Sequence, residues 1–163
     1  MGVRFKNMIR IQAAILLVLA VSLLIPLAVA LYYKEPGAGL AFLFVSGGCA
    51  LIGGIIRLGI KSSDSKLKVR DGFFIVSAAW LTCSMVGALP FLLSGAISSP
   101  ADAFFESCSG FSTTGASILT NVEVLPKSVL LWRSFTHWLG GMGIIVFVMA
   151  LLPVLGINGQ IAA

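Results

Sequence analysis

The sequence predicts an all-α integral membrane protein with four transmembrane helices and, between the third and the fourth, one short re-entrant helix that leads into an extended loop. Of its 163 residues, 58% are hydrophobic and 10% are charged, and the mean hydropathy is +1.05. No soluble domain of this size can bury so much apolar surface. Four apolar runs each reach the length of about 20 residues that a helix needs to cross a bilayer. One polar segment, residues 100–117, interrupts them.

The first predicted span covers residues 11–33 and follows a basic segment that contains Arg4, Lys6 and Arg10. Residues 28–30, Ala-Val-Ala, resemble a signal-peptide cleavage site. The apolar run nevertheless exceeds the core of a secretory signal, which is about 7–15 residues long. The length therefore favours a retained first helix.

The second predicted span covers residues 38–60 and the third covers residues 73–97. Within the second span, Ser46, Ala50 and Gly54 recur every four residues, a spacing that lets two membrane helices approach closely. A charged loop, residues 61–71, connects the two spans and is rich in lysine and arginine.

The two basic segments predict the orientation in the membrane, because lysine and arginine in short loops stay on the cytoplasmic side. We therefore expect a multi-pass protein of the cell (inner) membrane with a cytoplasmic N-terminus. The basic loop is attracted to anionic lipid of the bilayer, and no aromatic residues interleave with its charges, so nucleic acid is not expected as a partner. The chain divides into an N-terminal two-helix pair with its basic loop, residues 1–72, and a helix–loop–helix repeat, residues 73–163.

The first half of the polar segment predicts a short helix. Ser99 can cap it, Pro100 suits its first position, and Asp102 lies where an acidic side chain meets exposed N–H groups. Gly110 favours its end. The spacing predicts an apolar face and an opposite polar face. The apolar face comprises Phe104, Cys108 and Phe111, and the polar face comprises Asp102, Glu106 and Ser109.

The second half, residues 110–117, contains small hydroxyl residues and two glycines without a helical apolar period. Irregular backbone is tolerated at membrane depth only where it lines a wet cavity or is packed inside protein. An extended Thr-Thr-Gly run can direct successive carbonyl oxygens at a dehydrated cation, and Gly115 permits dihedral angles closed to other residues. The segment therefore favours a pore helix with a filter loop. The alternative is a polar extracellular turn, since such runs are common in loops.

The fourth predicted span, residues 128–155, carries Arg133 and His137 one turn apart. Arg133 can pair with Glu106 or Asp102, or it can tune ion entry. His137 fits a hydrogen-bonding partner better than a proton relay. The glycines at positions 140, 141 and 143 favour close helix packing over a hinge.

Two other kinds of chemistry find little support in the sequence. Three widely spaced cysteines in apolar surroundings (Cys49, Cys83 and Cys108) predict free thiols and no metal site. Ser134, His137 and Asp102 could be combined into a hydrolytic set, but the chain has no nucleophile-elbow motif. We therefore expect a protein that is not an enzyme and that needs no cofactor.

Five stretches together resemble the first pore repeat of the Trk/Ktr/HKT potassium transporter superfamily. They are FFES at 104–107, GFSTTGAS at 110–117, WRS at 132–134, HWLGGMGIIV at 137–146 and LLPVLG at 151–156. Two additional spans precede the repeat, so the chain is most similar to the TrkH-type potassium uptake subunit.

The resemblance implies a pathway for potassium as the transported ion. Its filter ligands are the backbone carbonyls of Ser112, Thr113, Thr114, Gly115 and Ala116, and Gly115 takes the position of the filter glycine associated with potassium preference. Glu106, Arg133 and His137 are expected to support the pore. The resemblance also implies a homodimer of the full protein and a cytoplasmic nucleotide-binding regulatory subunit of the TrkA type.

The chain departs from that family because it has one repeat where members have four. A single strand offers oxygens on one side of an ion, whereas replacing the hydration shell of potassium takes carbonyls from a ring of strands. We expect a fragment that cannot conduct alone and is completed by the remaining repeats of the same transporter. One alternative is a homotetrameric cation channel built from single repeats, and the other is a non-conducting membrane module for packing and assembly.

Overall fold

The computed structural model describes residues 2–60 and 69–151, with side chains for residues 5–60 and 70–149. These residues form five α-helices and no strand, which confirms the all-α class. The helices are α1 (Gly2–Tyr32), α2 (Pro36–Gly59), α3 (Val69–Leu93), α4 (Pro100–Phe111) and α5 (Lys127–Leu151).

Three helices in the described part of the chain are long and apolar enough to cross a membrane, within Phe5–Tyr32, Pro36–Gly59 and Arg70–Leu93. Large apolar side chains on them face outward, as with Phe44 and Ile55, each 69% exposed. This is the surface expected of a membrane protein. Helix α5 is not among these three helices of the described residues. The fourth span remains a prediction.

The ends of the helices differ from the predicted bounds. Helix α1 begins well before residue 11, because its basic first turns still contact neighbouring helices: Arg10 Nη1 donates to the Ile60 carbonyl at 3.0 Å and Gln12 Nε2 to the Ile75 carbonyl at 2.8 Å. Helix α3 runs from Val69 to Leu93, whereas residues 73–97 were predicted. It ends early because Gly95 adopts a φ of +74° and turns the chain. Most of the predicted basic loop, residues 61–68, lies outside the described residues.

Helices α1 and α2 pack through small residues, although not all of the predicted ones. The buried Ser46 donates its hydroxyl to the Ala20 carbonyl at 2.8 Å. A Cβ on Gly53 would lie 2.9 Å from the Ala13 carbonyl oxygen, so the two backbones nearly touch there. Ala50 is exposed and a Cβ added at Gly54 meets nothing within 4 Å, so these two residues do not take part in the contact between α1 and α2.

Trp132 of α5 joins four helices in the core. Its side chain is fully buried, and its indole N–H donates to the Gly87 carbonyl of α3 at 3.0 Å. Its ring makes edge-to-face contacts with Phe42 of α2 and Phe111 of α4, each with centroids 6.4 Å apart. This geometry is favourable for aromatic pairs and fixes the end of α4 against the longer helices.

Candidate ion-binding loop

Helix α4 has the predicted start. The Ser99 hydroxyl accepts a hydrogen bond from the Asp102 N–H, Pro100 takes the first position, and Asp102 lies in the first turn. The helix has 12 residues, or about 18 Å at 1.5 Å per residue. That is shorter than the hydrocarbon core of a bilayer, about 30 Å.

The two predicted faces of α4 do not correspond to a buried and an exposed side. Glu106 is 1% exposed and Ser109 is 5% exposed, whereas Phe104 is 36% exposed. The other members of the two faces do not follow the same division, because Phe111 is 3% exposed and Asp102 is exposed. Glu106 and Ser109 can lie inside because they find hydrogen-bond partners there, next to the buried Phe111, while Phe104 faces out.

The C-terminus of α4 is closed by a Schellman motif. The Thr113 N–H donates to the Gly110 carbonyl at 2.9 Å and the Thr114 N–H to the Ser109 carbonyl at 3.0 Å. Thr113 takes the left-handed position with a φ of +57°. Glycine usually occupies that position, and a β-branched residue there is strained. Strain of this kind concentrates at functional sites.

Four successive carbonyls follow the helix without a hydrogen-bond partner among the described residues. They belong to Ser112, Thr113, Thr114 and Gly115, and all four residues are exposed. The Phe111 carbonyl differs, because it accepts from the Trp80 indole N–H at 3.0 Å. These four oxygens are therefore free to bind a ligand.

Gly115 and Ala116 form the far part of the loop. Gly115 has a φ of +77°, and nothing lies within 4 Å of a Cβ added there. Glycine is therefore required by the backbone conformation and not by lack of space for a side chain. The Ala116 carbonyl accepts from the Ser109 hydroxyl at 2.5 Å. Ala116 thus differs from the other four predicted ligands in having its oxygen engaged by α4.

Glu106 ties the far end of the loop to two helices. Its carboxylate accepts from the Ser117 hydroxyl at 2.9 and 3.0 Å and from the Ile118 N–H at 3.2 Å. Arg133 Nε of α5 donates to the same carboxylate at 2.5 Å. Of the two pairings that the sequence left open for Arg133, the structure has the one with Glu106. A charged acceptor makes these hydrogen bonds stronger than neutral ones.

His137 lies one turn further along α5. Its Nδ1 is 2.9 Å from the Arg133 carbonyl, so it is a hydrogen-bonding partner within the helix. Ser134 donates to the Leu130 carbonyl at 3.1 Å. No hydrogen bond joins Ser134, His137 and Asp102 in the part of the chain with described side chains, and the hydrolytic set is not assembled.

Glycines allow α4 to approach α3 and α5. A Cβ on Gly140 would overlap the Phe111 carbonyl, and one on Gly110 would overlap the Thr136 hydroxyl. A Cβ on Gly87 would lie 2.6 Å from the Phe111 ring. Gly140 therefore serves close packing as predicted, whereas Gly143 meets nothing within 4 Å.

Sequence reasoning missed Glu35, which lies in the turn between α1 and α2. Its carboxylate accepts from the N–H groups of Lys127 and Ser128 at 2.7 and 3.1 Å and from the Ser128 hydroxyl at 2.5 Å. Burial raises the pKa of Glu35, but the hydrogen bonds from Ser128 and Lys127 and the charge of Lys127 outweigh it, so the pKa falls below its usual value. One feature of the sequence could have indicated this contact. Pro126 directly precedes α5 and has no side-chain acceptor that could cap the helix, so another residue has to do so.

Metal-ligating and disulfide chemistry is not assembled in the described part. No group of three or more His, Cys, Asp or Glu side chains there could hold a metal ion. The cysteines at positions 49, 83 and 108 are free thiols, as predicted.

The site therefore consists of a capped helix shorter than the bilayer is thick, a loop with free carbonyls, and a buried carboxylate that fixes the end of that loop. A family model for the cation transport protein TrkH matches residues 43–162, more than half of the chain. The chain belongs to the TrkH family. It matches the N-terminal portion of TrkH-type proteins.

Relatives in the TrkH family cover nearly all of this chain. It is 41% identical over 158 residues to the Trk system potassium uptake protein TrkH of Vibrio parahaemolyticus, covering 96% of this chain and 32% of that protein. It is 40% identical over 160 residues to TrkH of Escherichia coli, with the same two coverages. An uncharacterized cation transporter of Methanocaldococcus jannaschii is 37% identical over 141 residues, which is 86% of this chain and 29% of that protein.

A solved structure shares the fold. The crystal structure of the potassium transporter TrkH from Vibrio parahaemolyticus superimposes with a TM-score of 0.87 at 41% identity, covering 98% of this chain and 34% of that one. The chain therefore spans about a third of the length of the TrkH relatives it matches.

Proposed function

We propose that this chain supplies the first pore repeat of a potassium-conducting TrkH-type protein. The observation that carries the proposal is the run of four free carbonyls at residues 112–115, held between a strained helix end and the Glu106 carboxylate. Carbonyl oxygens in such a run can replace the water around a dehydrated potassium ion. Ala116 is included as a neighbouring ligand through the second lone pair of its carbonyl.

The membrane arrangement belongs to the same proposal. Helix α5 is the fourth span, and α4 enters the bilayer without crossing it, which its length of about 18 Å supports. The N-terminus faces the cytoplasm of a cell whose inner membrane holds the protein. Residues 1–72 form an accessory pair of helices, and residues 73–163 form the repeat.

Glu106 and Arg133 act as pore-supporting charges, and His137 as a polar partner within α5. The carboxylate and the guanidinium hold Ser117 and Ile118 in place and thereby set where the loop carbonyls lie. None of the three side chains has to touch the ion in this role.

A complete pore needs carbonyls from a ring of strands. The remaining repeats of a TrkH-type protein, or further copies of this chain, supply them. The relatives are named as parts of the Trk system. In keeping with that name, we propose a homodimer of the full protein and a TrkA-type nucleotide-binding regulatory subunit as partners.

A chimera tests the proposal. Residues 1–163 replace the matching third of the Vibrio parahaemolyticus protein, and rubidium uptake is measured in cells that lack their own potassium uptake systems. We expect uptake by the chimera and loss of uptake on Gly115→Val because of the positive φ. The matched Gly143→Val variant should keep normal uptake, since no atom of this chain lies within 4 Å of a Cβ added there.

Two outcomes would count against this assignment, and a third would decide how the pore is completed. A chimera that reaches the membrane folded but carries no rubidium contradicts it, as does full uptake by the Gly115→Val variant. Uptake by residues 1–163 alone would favour the ring of four copies over completion by other repeats.

A further inference from the structure

Glu35 is the one side chain that bonds the N-terminal helix pair to the start of α5 in the described part of the chain. It lies 92 residues from Lys127 in sequence, yet its carboxylate binds both the Lys127 and the Ser128 N–H groups. Ser128 is fully buried, so its hydroxyl has exchanged water for the Glu35 oxygen at 2.5 Å. The contact is therefore a closed one, with three hydrogen bonds to one carboxylate.

Helix α5 needs this carboxylate because it has no cap of its own. The first N–H groups of a helix have no intrahelical partner and are usually satisfied by a Ser, Thr, Asp or Asn at the preceding position. That position is Pro126, whose ring offers no acceptor. Glu35 takes the place of the missing cap and adds a negative charge at the positive end of the helix dipole.

Hydrogen bonds at the end of α1 fix the backbone conformation around Glu35. The Lys34 N–H donates to the Leu31 carbonyl and the Glu35 N–H to the Ala30 carbonyl at 2.8 Å, a Schellman motif that ends α1. Lys34 adopts a φ of +56° in it, a conformation unfavourable for lysine. Pro36 then starts α2. The direction of the Glu35 side chain is thus fixed from both sides by helix ends.

The capped helix carries the residue that holds the loop. Arg133 lies six residues after Lys127, about 9 Å along α5, and the fully buried Val129 and Trp132 lie between them. Trp132 contacts Phe42 of α2, which is a second link between the pair and the repeat. A continuous series of contacts therefore runs from Glu35 through α5 and Arg133 to Glu106 and the end of the loop.

We propose that Glu35 is a positioning residue for the ion pathway, and that the N-terminal helix pair acts through it as a brace that sets the position of α5. This rests on the proposed function of the loop. The brace acts without contact with the ion. This role of the helix pair would account for the hydrogen bonds between Glu35 and α5, the helix that carries Arg133.

The test uses the chimera with Glu35→Gln, with Glu35→Gln combined with Pro126→Asp, and with Pro126→Asp alone. Glu123→Gln serves as the matched control, because Glu123 is exposed and its carboxylate has no hydrogen bond among the described residues. The rate of rubidium uptake is measured as a function of the rubidium concentration and of the concentration of competing sodium. Thermal stability and the amount of protein in the membrane are measured for the same variants.

We expect Glu35→Gln to weaken rubidium binding or its discrimination from sodium by up to about tenfold, with normal membrane levels, because the stability cost of a lost helix cap sets the upper limit of the effect. The Pro126→Asp change gives α5 a local cap but does not restore the bond to the pair. Thermal stability should therefore recover in the double variant while the transport defect persists.

The outcomes separate this inference from the proposed function. If the unmodified chimera transports and Glu35→Gln behaves like Glu123→Gln, the brace is refuted and the pore repeat stands. If the double variant regains transport together with stability, Glu35 is only a cap and the brace is equally refuted. If the unmodified chimera is folded and silent, the proposed function itself fails.

Discussion

Replacing Glu106 by glutamine should release the far end of the loop. The carboxylate accepts from Arg133, Ser117 and Ile118, and an amide can satisfy only part of that set because its nitrogen is a donor. Removing one partner of a buried ion pair costs about 3–5 kcal/mol. The Arg133 side chain is 23% exposed and can regain some water, so the lower figure of about 3 kcal/mol applies.

A loss of about 3 kcal/mol raises the population of the detached loop roughly a hundredfold. Hydrogen exchange at the Ile118 amide should accelerate by that factor, and rubidium uptake by the chimera should fall steeply. Arg133→Gln should have a similar effect, and the double variant should cost much less than the sum of the two, since both remove the same interaction. Glu123→Gln is the matched control and should change neither quantity.

The reasoning is refuted if Glu106→Gln leaves exchange at Ile118 and rubidium uptake unchanged. It is also refuted if the costs of the two single substitutions add up in the double variant, because the carboxylate and the guanidinium would then act independently. A uniform rise in exchange over all helices would instead mean global destabilisation and would contradict a local role for Glu106.

Three further predictions concern packing, pH and strain. Gly140→Ala should destabilise the protein by about 1–3 kcal/mol, because the added methyl group would overlap the Phe111 carbonyl. Gly143→Ala should be neutral or slightly stabilising. Thermal unfolding in detergent checks both variants, and equal effects would contradict the close packing at Gly140. The pKa of Glu35 is lowered from 4.5, so the ionised carboxylate stabilises the fold above that pH, and this contribution is lost as the pH falls through the lower pKa of the folded state. The difference in melting temperature between the wild type and Glu35→Gln should therefore be largest at pH 6 and shrink in acid. A difference that stays constant with pH would contradict this. Thr113→Gly should remove the strain of the positive φ and stabilise the fold by up to about 1 kcal/mol, and a loss of stability in thermal unfolding would mean that the threonine side chain is required for the helix end.

Local chemistry made much of the site predictable. The cap at Ser99, the short length of α4 and the glycine at position 115 all follow from rules that act within a few residues. The pairing of Arg133 with Glu106 could be foreseen as one of two possibilities, because few charges in an apolar chain have other partners.

Features that depend on packing could not be predicted in this way. The helical wheel of α4 groups Glu106 with Asp102 and Ser109 but cannot show which side chains are buried, and in the structure Glu106 and Ser109 are buried whereas Asp102 is exposed. The close approach of α2 to α1 occurs at Gly53 and not at Gly54, a difference of one position that depends on the rotation of the helix. The bond from Glu35 to α5 spans 92 residues, so only the missing cap at Pro126 hinted at it.

The loop after α4 is fixed at its two ends, and the carbonyl oxygens of residues 112–115 have no hydrogen bond among the described residues. The Schellman motif fixes Thr113, and Glu106 fixes Ser117, so small changes of the backbone angles at Thr114 and Gly115 can move the intervening oxygens without breaking either attachment. The spacing of those oxygens is consequently adjustable, and under the proposed function the opposing strands decide the size of the bound ion as much as this one does. A substitution on a neighbouring strand should therefore change ion preference even when every hydrogen bond described for this chain stays intact.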